Sequence, residues 1–266
     1  MSYDPASVVE VYERNAKVED ASEKGYSMRV ELPREFIKRH LGESDLVLDA
    51  GGGTGVNAIL MARLCKKVTL LDITPGILTL AEGNLRAAGL LDKVDLVQGD
   101  ITDLSQFRDG QFTFVVCVGD AISYVLDKRY QAMAELVRVA QNGSILIIGC
   151  DSKLGFVRLM LAEGCLDEAL EIYQSGECDC GMGPRTHLYT VEEMTELLEN
   201  HGCRVLEVAS TPTFGDTIDT GAYQRRGEWE KLKALELEVC TRRELLGMGN
   251  HLLFVAIKEA DEEAGV

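Results

Sequence analysis

Apolar positions along the chain fall into short continuous runs, separated by longer stretches in which they recur at helical spacing. Asp45 to Ala50 (DLVLDA), Lys67 to Leu71 (KVTLL), Val94 to Val97, Phe112 to Val118 and Ser144 to Gly149 (SILIIG) are the runs. Val56 to Cys65, Thr74 to about Ala88 and Lys128 to Ala140 are the helical stretches between them. Strand-length runs alternating with helices predict βαβ units and a parallel sheet. The runs are continuous rather than alternating, as expected where helices cover both faces. Thr74-Pro75 reads as a helix start with a hydroxyl cap, and Gly89 as its stop.

Outside this rhythm the pattern changes. Val8, Val9, Val11 and Tyr12 form one helical cluster, and Leu32, Phe36, Ile37 and Leu41 a second, with Gly25 as the break. Leu154 to Tyr173 predicts one helix, followed by a glycine- and cysteine-rich loop, SGECDCGMGP. Thr190-Val191-Glu192-Glu193 reads as a capping box opening a helix to about Asn200. Arg204 to Ala209 is a sixth strand, 211–227 a polar loop, Glu228 to Leu246 a helix and His251 to Lys258 (HLLFVAIK) a last strand. A chain that ends in two strands gives the sheet an antiparallel edge. The divisions expected are a helical cap over 1–44, a ligand-binding core over 45–150 and a lid insertion over 151–189. Residues 190–258 complete the same domain with a 211–250 insertion, and 259–266 form an acidic tail.

Composition adds constraints. With 266 residues, 46% hydrophobic and 27% charged, the chain can bury a full core without disulfides or metal staples. The formal charge of −17 argues against nucleic acid and anionic membranes as partners. No signal segment or apolar span is visible, and Cys65, Cys117 and Cys150 lie in or beside apolar segments, so a reducing cytoplasm is expected. Oligomeric state is open.

The candidate chemistry begins at Asp49-Ala50-Gly51-Gly52-Gly53-Thr54-Gly55, which follows a strand and opens a helix. Glycines allow positive φ and close backbone approach to a ligand, and the helix start offers free N–H groups. The spacing is D-x-G-x-G-x-G rather than the dinucleotide G-x-G-x-x-G, and Asp49 at the strand end suits a ligand with a positive group.

The runs VLDAGGGTG, TLLDITPGIL, LVQGDITDL and FTFVVCVGDAISYV together resemble the class I S-adenosylmethionine-dependent methyltransferases. The resemblance spans about 45–150 and extends loosely through THLYTVEEMTELLENHGCRVLEV and HLLFVAIK. It implies a Rossmann-like, doubly wound α/β fold: a mostly parallel seven-stranded sheet with an antiparallel edge strand, plus N-terminal helices and lid insertions. It implies S-adenosylmethionine as cofactor and S-adenosylhomocysteine as product. By resemblance, Gly51, Gly53 and Gly55 wrap the methionine part, and Asp49 orients it. Asp72 takes the ribose hydroxyls, Ile73 and Ile101 flank the adenine, Asp100 accepts from its amino group, and Cys117 and Gly119 receive the ammonium through backbone carbonyls. Thr113 stands where many members carry aspartate, and neither an N/D-P-P-Y/F run nor a Pro-Cys at the fourth strand appears.

The reading that follows is direct in-line methyl transfer to a small molecule. The alternatives are a protein or RNA acceptor, a non-catalytic S-adenosylmethionine-binding protein, and an NAD-type oxidoreductase that the glycine spacing disfavours. Tyr12, Tyr26, Asp120, Tyr124, His187 and Tyr223 are the acceptor-side candidates, with His187 the candidate base. Cys178-x-Cys180 is too closely spaced for a zinc knuckle, so no metal is expected, and the bland reading is a flexible reduced loop.

Overall fold

The computed structural model describes residues 2–24, 27–179 and 185–260. Two helices come first, α1 (Pro5–Lys24) and α2 (Met28–His40). The apolar runs then form five strands: β1 (Leu46–Ala50), β2 (Lys67–Asp72), β3 (Val94–Gln98), β4 (Phe112–Cys117) and β5 (Ala140–Asp151). They pair in parallel in the order β3-β2-β1-β4-β5. Helices α3 (Val56–Leu64) and α4 (Pro75–Ala88) make the first two crossovers; the short α5 (Ala121–Tyr124) and α6 (Arg129–Val139) lie between β4 and β5. The strand order reverses between β1 and β4. The loops leaving these two strands therefore diverge and leave a crevice at their carboxyl ends, the usual ligand position in such sheets.

Alternate residues of each strand serve opposite faces. Val47, Val68, Leu70, Phe114, Val116 and Ile147 pack with α2, α3 and α4. Leu48, Val115, Leu146 and Ile148 pack with α6 and a later helix, α9 (Val191–Glu199). Each fully buried Leu, Ile, Val or Phe contributes about 1.5–3 kcal/mol. At β4, Thr113 bridges strands: its hydroxyl donates to Asp45 Oδ1 (2.7 Å) and accepts from the Leu46 N–H (2.9 Å).

Beyond β5 come α7 (Lys153–Ala162), α8 (Leu166–Ser175) and a two-stranded ribbon, β6 (Glu177–Cys178) with β7 (Thr186–His187). After α9 follow β8 (Cys203–Ser210), α10 (Thr220–Arg225), α11 (Trp229–Val239) and β9 (His251–Lys258). β9 runs antiparallel between β5 and the edge strand β8, completing a seven-stranded sheet. Three expectations need correction. The single helix over 154–173 is two, because Gly164 adopts φ +80° and turns the chain. The helix expected to reach Leu246 stops at Val239, and the loop before it contains α10. The Thr74 hydroxyl makes no cap hydrogen bond; Glu13 Oε1 from α1 takes the Gly76 N–H instead (2.7 Å).

Glu236 of α11 organises the 211–217 turn. It is fully buried and accepts from the backbone N–H groups of Thr213 (2.8 Å), Phe214 (3.0 Å) and Gly215 (2.8 Å). Among the described residues no helix is long and apolar enough to cross a membrane.

Candidate active site

The glycine turn is pinned before any ligand arrives. Gly51 and Gly52 N–H groups both donate to the Leu71 carbonyl (2.8 and 3.1 Å), locking the end of β1 to β2. Gly51, Gly53 and Gly55 hold φ of +72°, +56° and +83°, which a side chain would strain. Asp72 joins the two strand ends, with Oδ2 accepting from the Gly53 N–H (3.1 Å) and Oδ1 from the Thr74 N–H (2.9 Å).

A cavity opens above this turn, with about 780 Å³ of empty space counted out through its open mouth. Asp72 and Ile73 line it from β2, Asp100 and Ile101 from β3, and Gly119, Asp120 and Tyr124 from the β4 side. α1 and the residues before it form the roof, through Tyr3, Val8, Tyr12, Glu19 and Glu23. The Tyr3 hydroxyl donates to Asp100 Oδ2 (2.9 Å), and Tyr12 meets Tyr124 edge to face at 5.9 Å. Asp20 Oδ1 accepts from Asn84 (2.8 Å). Glu23 takes the Thr54 N–H (3.2 Å) and the Thr54 hydroxyl, so it caps the start of α3.

Acidic groups crowd one end. Asp49 is 1% exposed and its Oδ2 has no hydrogen-bond partner. Burial, then Glu23 and Asp72, push its carboxyl up to about 8. Burial pushes Glu23 up to about 7 against the bonds from Thr54, and burial raises Glu19 and Asp72 as well. Buried carboxyls held this reluctantly ionised form a slot whose charged state is completed by a cation.

A second cavity of about 810 Å³ shares Glu19, Glu23, Arg29, Gly51 and Gly119 with the first. Gly149, Cys150, Thr211 and His251 line its far side. Arg29 of α2 pairs with Asp120 Oδ2. Burial opposes ionisation of Asp120, but Arg29 and His251 outweigh it and hold the carboxyl well below the usual range.

The sequence-derived candidates distribute unevenly. Gly51, Gly53, Asp72, Ile73, Asp100, Ile101 and Gly119 converge on the first cavity with Tyr12, Asp120 and Tyr124, and Asp49 lines the second. Gly55 lines neither; a Cβ there would touch Ala81 and Leu70 at 3.4 Å, so it is a packing glycine between α3, α4 and β2. Cys117 also lines neither. It is fully buried, its thiol pushed up to about 12 by burial and Asp49, and Val118 and Gly119 take the wall instead.

His187 is not at the site. It is buried in β7, its Nε2 2.6 Å from Glu193 Oε1 and its ring edge-on to Tyr189. Glu193 thereby abandons the reciprocal half of the capping box, while Thr190 Oγ1 still accepts from the Glu193 N–H (3.1 Å). Tyr223 packs with the Met28–Leu32–Trp229–Leu232 cluster, under Arg226. Cys178 is buried among Ile172 and Leu188, not in an open loop. Tyr26 and Cys180 lie outside the described residues. Sequence reasoning missed Glu19, Glu23, Arg29, Asp151 and His251. Asp151 had a usable signal, since it ends a parallel strand.

The known proteins that resemble this chain agree with the geometry. Residues 48–148 match the family model described as a methyltransferase domain. Ribosomal protein arginine N-methyltransferase rmt3 of Schizosaccharomyces pombe is 26% identical over 73% of this chain and 38% of its own length. The ubiquinone/menaquinone biosynthesis C-methyltransferase UbiE of Psychromonas ingrahamii is 31% identical over 38% of this chain and 41% of its own. A Haloferax volcanii methyltransferase solved with the Trm112 methyltransferase activator superposes with TM-score 0.68 at 18% identity, covering 97% of this chain and 100% of that one. Residues 48–148 thus carry a methyltransferase domain, and the fold over the whole chain is similar to that of S-adenosylmethionine-dependent methyltransferases. The chain spans about a quarter to under a half of the length of the curated relatives it matches. The names of those relatives give different acceptors, protein arginine in one and a quinone precursor pathway in another, so the similarity points to S-adenosylmethionine chemistry and leaves the acceptor open.

Proposed function

We propose that this protein transfers a methyl group from S-adenosylmethionine to a small-molecule acceptor. The observation that carries the reading is the pair of cavities meeting at Gly51 and Gly119, one with cofactor-type groups and one roofed by Arg29 of α2 and Thr211. The residues fit the cofactor. Asp49 Oδ2 is a buried oxygen without a partner, and a Cβ at Gly119 would meet no atom within 4 Å, leaving room for a ligand. Glu19, Glu23, Asp49 and Asp72 supply the negative field that a sulfonium and an ammonium need.

When bound, S-adenosylmethionine supplies an electrophilic methyl group on sulfur. In this reading Asp72 would take the ribose hydroxyls, Ile73 and Ile101 the adenine faces, and Asp100 the adenine amino group. Asp49 would orient the methionine end. Tyr12 and Tyr124 close the cavity beside Asp120 and exclude water, and Arg29 keeps Asp120 ionised toward the acceptor side. Alignment of two bound reactants can supply about 7–11 kcal/mol of barrier reduction, so positioning is the main task.

Calorimetric titration with S-adenosylmethionine, S-adenosylhomocysteine and NAD tests the cofactor. Saturable binding of both sulfur ligands and none of NAD is expected; NAD binding alone overturns the reading. Incubation of a cell extract with the protein and methyl-labelled cofactor tests the acceptor class. Label in the small-molecule fraction is expected, whereas label confined to protein or RNA overturns the small-molecule assignment.

A further inference from the structure

Three side chains outside the cofactor contacts converge at the acceptor end. His251 opens β9 and lies directly across the antiparallel pair from Asp151, the last residue of β5. Asp120 arrives from the loop after β4. His251 Nε2 lies 3.3 Å from Asp151 Oδ1 and 3.4 Å from Asp120 Oδ1. All three groups offer ligand atoms within 4.8 Å of one another.

Hydrogen bonding does not account for this arrangement. One Nε2 proton reaches the two carboxylates only as a long shared bond, at 3.3 and 3.4 Å, and Asp120 Oδ1, wholly shielded from solvent, makes no well-formed hydrogen bond. The outer oxygens, by contrast, are taken. Arg29 holds Asp120 Oδ2, and the Thr186 hydroxyl donates to Asp151 Oδ2 (2.9 Å). Each carboxylate is thus oriented from behind, with its other oxygen turned into the cluster, as outer partners orient metal ligands. Metal bonds of about 2.1 Å place neighbouring ligand atoms about 3.0–3.4 Å apart between octahedral and tetrahedral angles. The observed separations of 3.3 and 3.4 Å fall in that interval.

We propose that Asp120, Asp151 and His251 form a binding site for a divalent transition-metal cation at the wall of the acceptor cavity. Two hard oxygens and one imidazole suit Mn²⁺, Fe²⁺ or Zn²⁺ better than Ca²⁺, which takes oxygen ligands in larger number. Two carboxylates balance the cation, and Glu19 offsets Arg29. Three protein ligands leave coordination positions open. His251 lines the second cavity, so those positions suit an acceptor that presents a hydroxyl or carboxylate oxygen. That acceptor role rests on the methyl-transfer reading; cation binding does not.

Titration of the full chain with Mn²⁺ alone, followed by calorimetry and by the loss of the free-ion electron paramagnetic signal, tests the site. One equivalent should bind, and Asp151→Asn and His251→Gln should each weaken it by about tenfold or more. S-adenosylhomocysteine titration of the same variants checks that they remain folded. Its failure with the unsubstituted protein would count against the methyl-transfer reading and leave the Mn²⁺ result intact. Should either variant fail to fold, the unsubstituted chain still decides: bound Mn²⁺ should broaden the His251 imidazole resonance selectively among the four histidines. No saturable uptake of Mn²⁺ or Zn²⁺, uptake unchanged in both folded variants, or an unbroadened His251 overturns the proposal.

Discussion

Replacing Asp72 by alanine removes more than a ligand contact. The carboxylate already accepts two backbone N–H groups, from Gly53 and Thr74, and its remaining lone pairs face the cavity. Two hydrogen bonds from ribose hydroxyls to a charged acceptor are worth about 1.5–3 kcal/mol each. Part of that gain is offset, because Asp72 also raises the carboxyls of Asp49 and Glu23, which ionise more readily once its charge is gone. A net loss of about 3 kcal/mol follows, which is roughly a 150-fold weaker complex. Asp72→Asn retains one acceptor and should lose about half of that free energy, a roughly tenfold effect. Calorimetry with S-adenosylhomocysteine reads both, with circular dichroism and thermal melting to show that the glycine turn still forms. An Asp72→Ala affinity within about threefold of the unsubstituted protein, in a folded chain, refutes the ribose assignment.

Cofactor affinity should rise with pH. Glu23 and Asp49 ionise near 7 and 8 in the free protein, and a cationic ligand favours their ionised forms. Binding should release protons, measured as a dependence of the calorimetric heat on buffer ionisation enthalpy; a buffer-independent heat at pH 7 would contradict this. The same shifts have the opposite sign for the free fold. Both groups bind protons more tightly when folded than at their ordinary values of 4.5 and 3.8, so their contribution to stability declines as pH rises from about 4 to 8. Glu236→Ala strands one buried and two half-buried N–H groups and should cost about 2–4 kcal/mol in urea denaturation, and a loss under about 1 kcal/mol would contradict that role. Gly51→Ala combines φ +72° with a Cβ 2.6 Å from that of Ala121, so it should abolish cofactor binding; retained affinity would refute the close-approach argument. His187→Ala should lower the melting temperature while leaving cofactor affinity unchanged, and a loss of binding in a folded variant would restore His187 to the site.

The lining of the first cavity was legible because its groups stand at or just beyond the ends of parallel strands, and a strand end is visible where an apolar run stops at an acid or a glycine. Asp49, Asp72 and Asp100 all sit at such points. The far wall of the second cavity was not, because its histidine begins a strand. β9 runs against its neighbours, so its first residue, His251, reaches the edge where the parallel strands finish. Its partner Asp151 lies a hundred positions earlier. His187 drew attention as the lone histidine of an insertion, yet Glu193, read from sequence as a helix cap, is its actual partner. The roof was invisible for a different reason: Glu19 and Glu23 look like the solvated face of an amphipathic helix, and only packing reveals that they face a cavity.

That roof has a consequence for turnover. α1 spans twenty residues, yet Val8 is its only buried residue among those described, and beyond the Tyr12–Tyr124 ring contact much of its hold is polar. Its tethers run to Thr54, Gly76 and Asn84, and Tyr3 just before it is tied to Asp100. Two of these anchor points, Asp100 and the glycine turn beside Thr54, are surfaces that the proposed reading gives to the cofactor. On that reading the helix would compete with incoming cofactor and re-seat behind departing product. A segment with so little apolar anchorage opens far more often than the sheet unfolds. Exchange of spent for fresh cofactor is then paced by the lifting of α1, and amide hydrogen exchange along that helix becomes a direct clock for it.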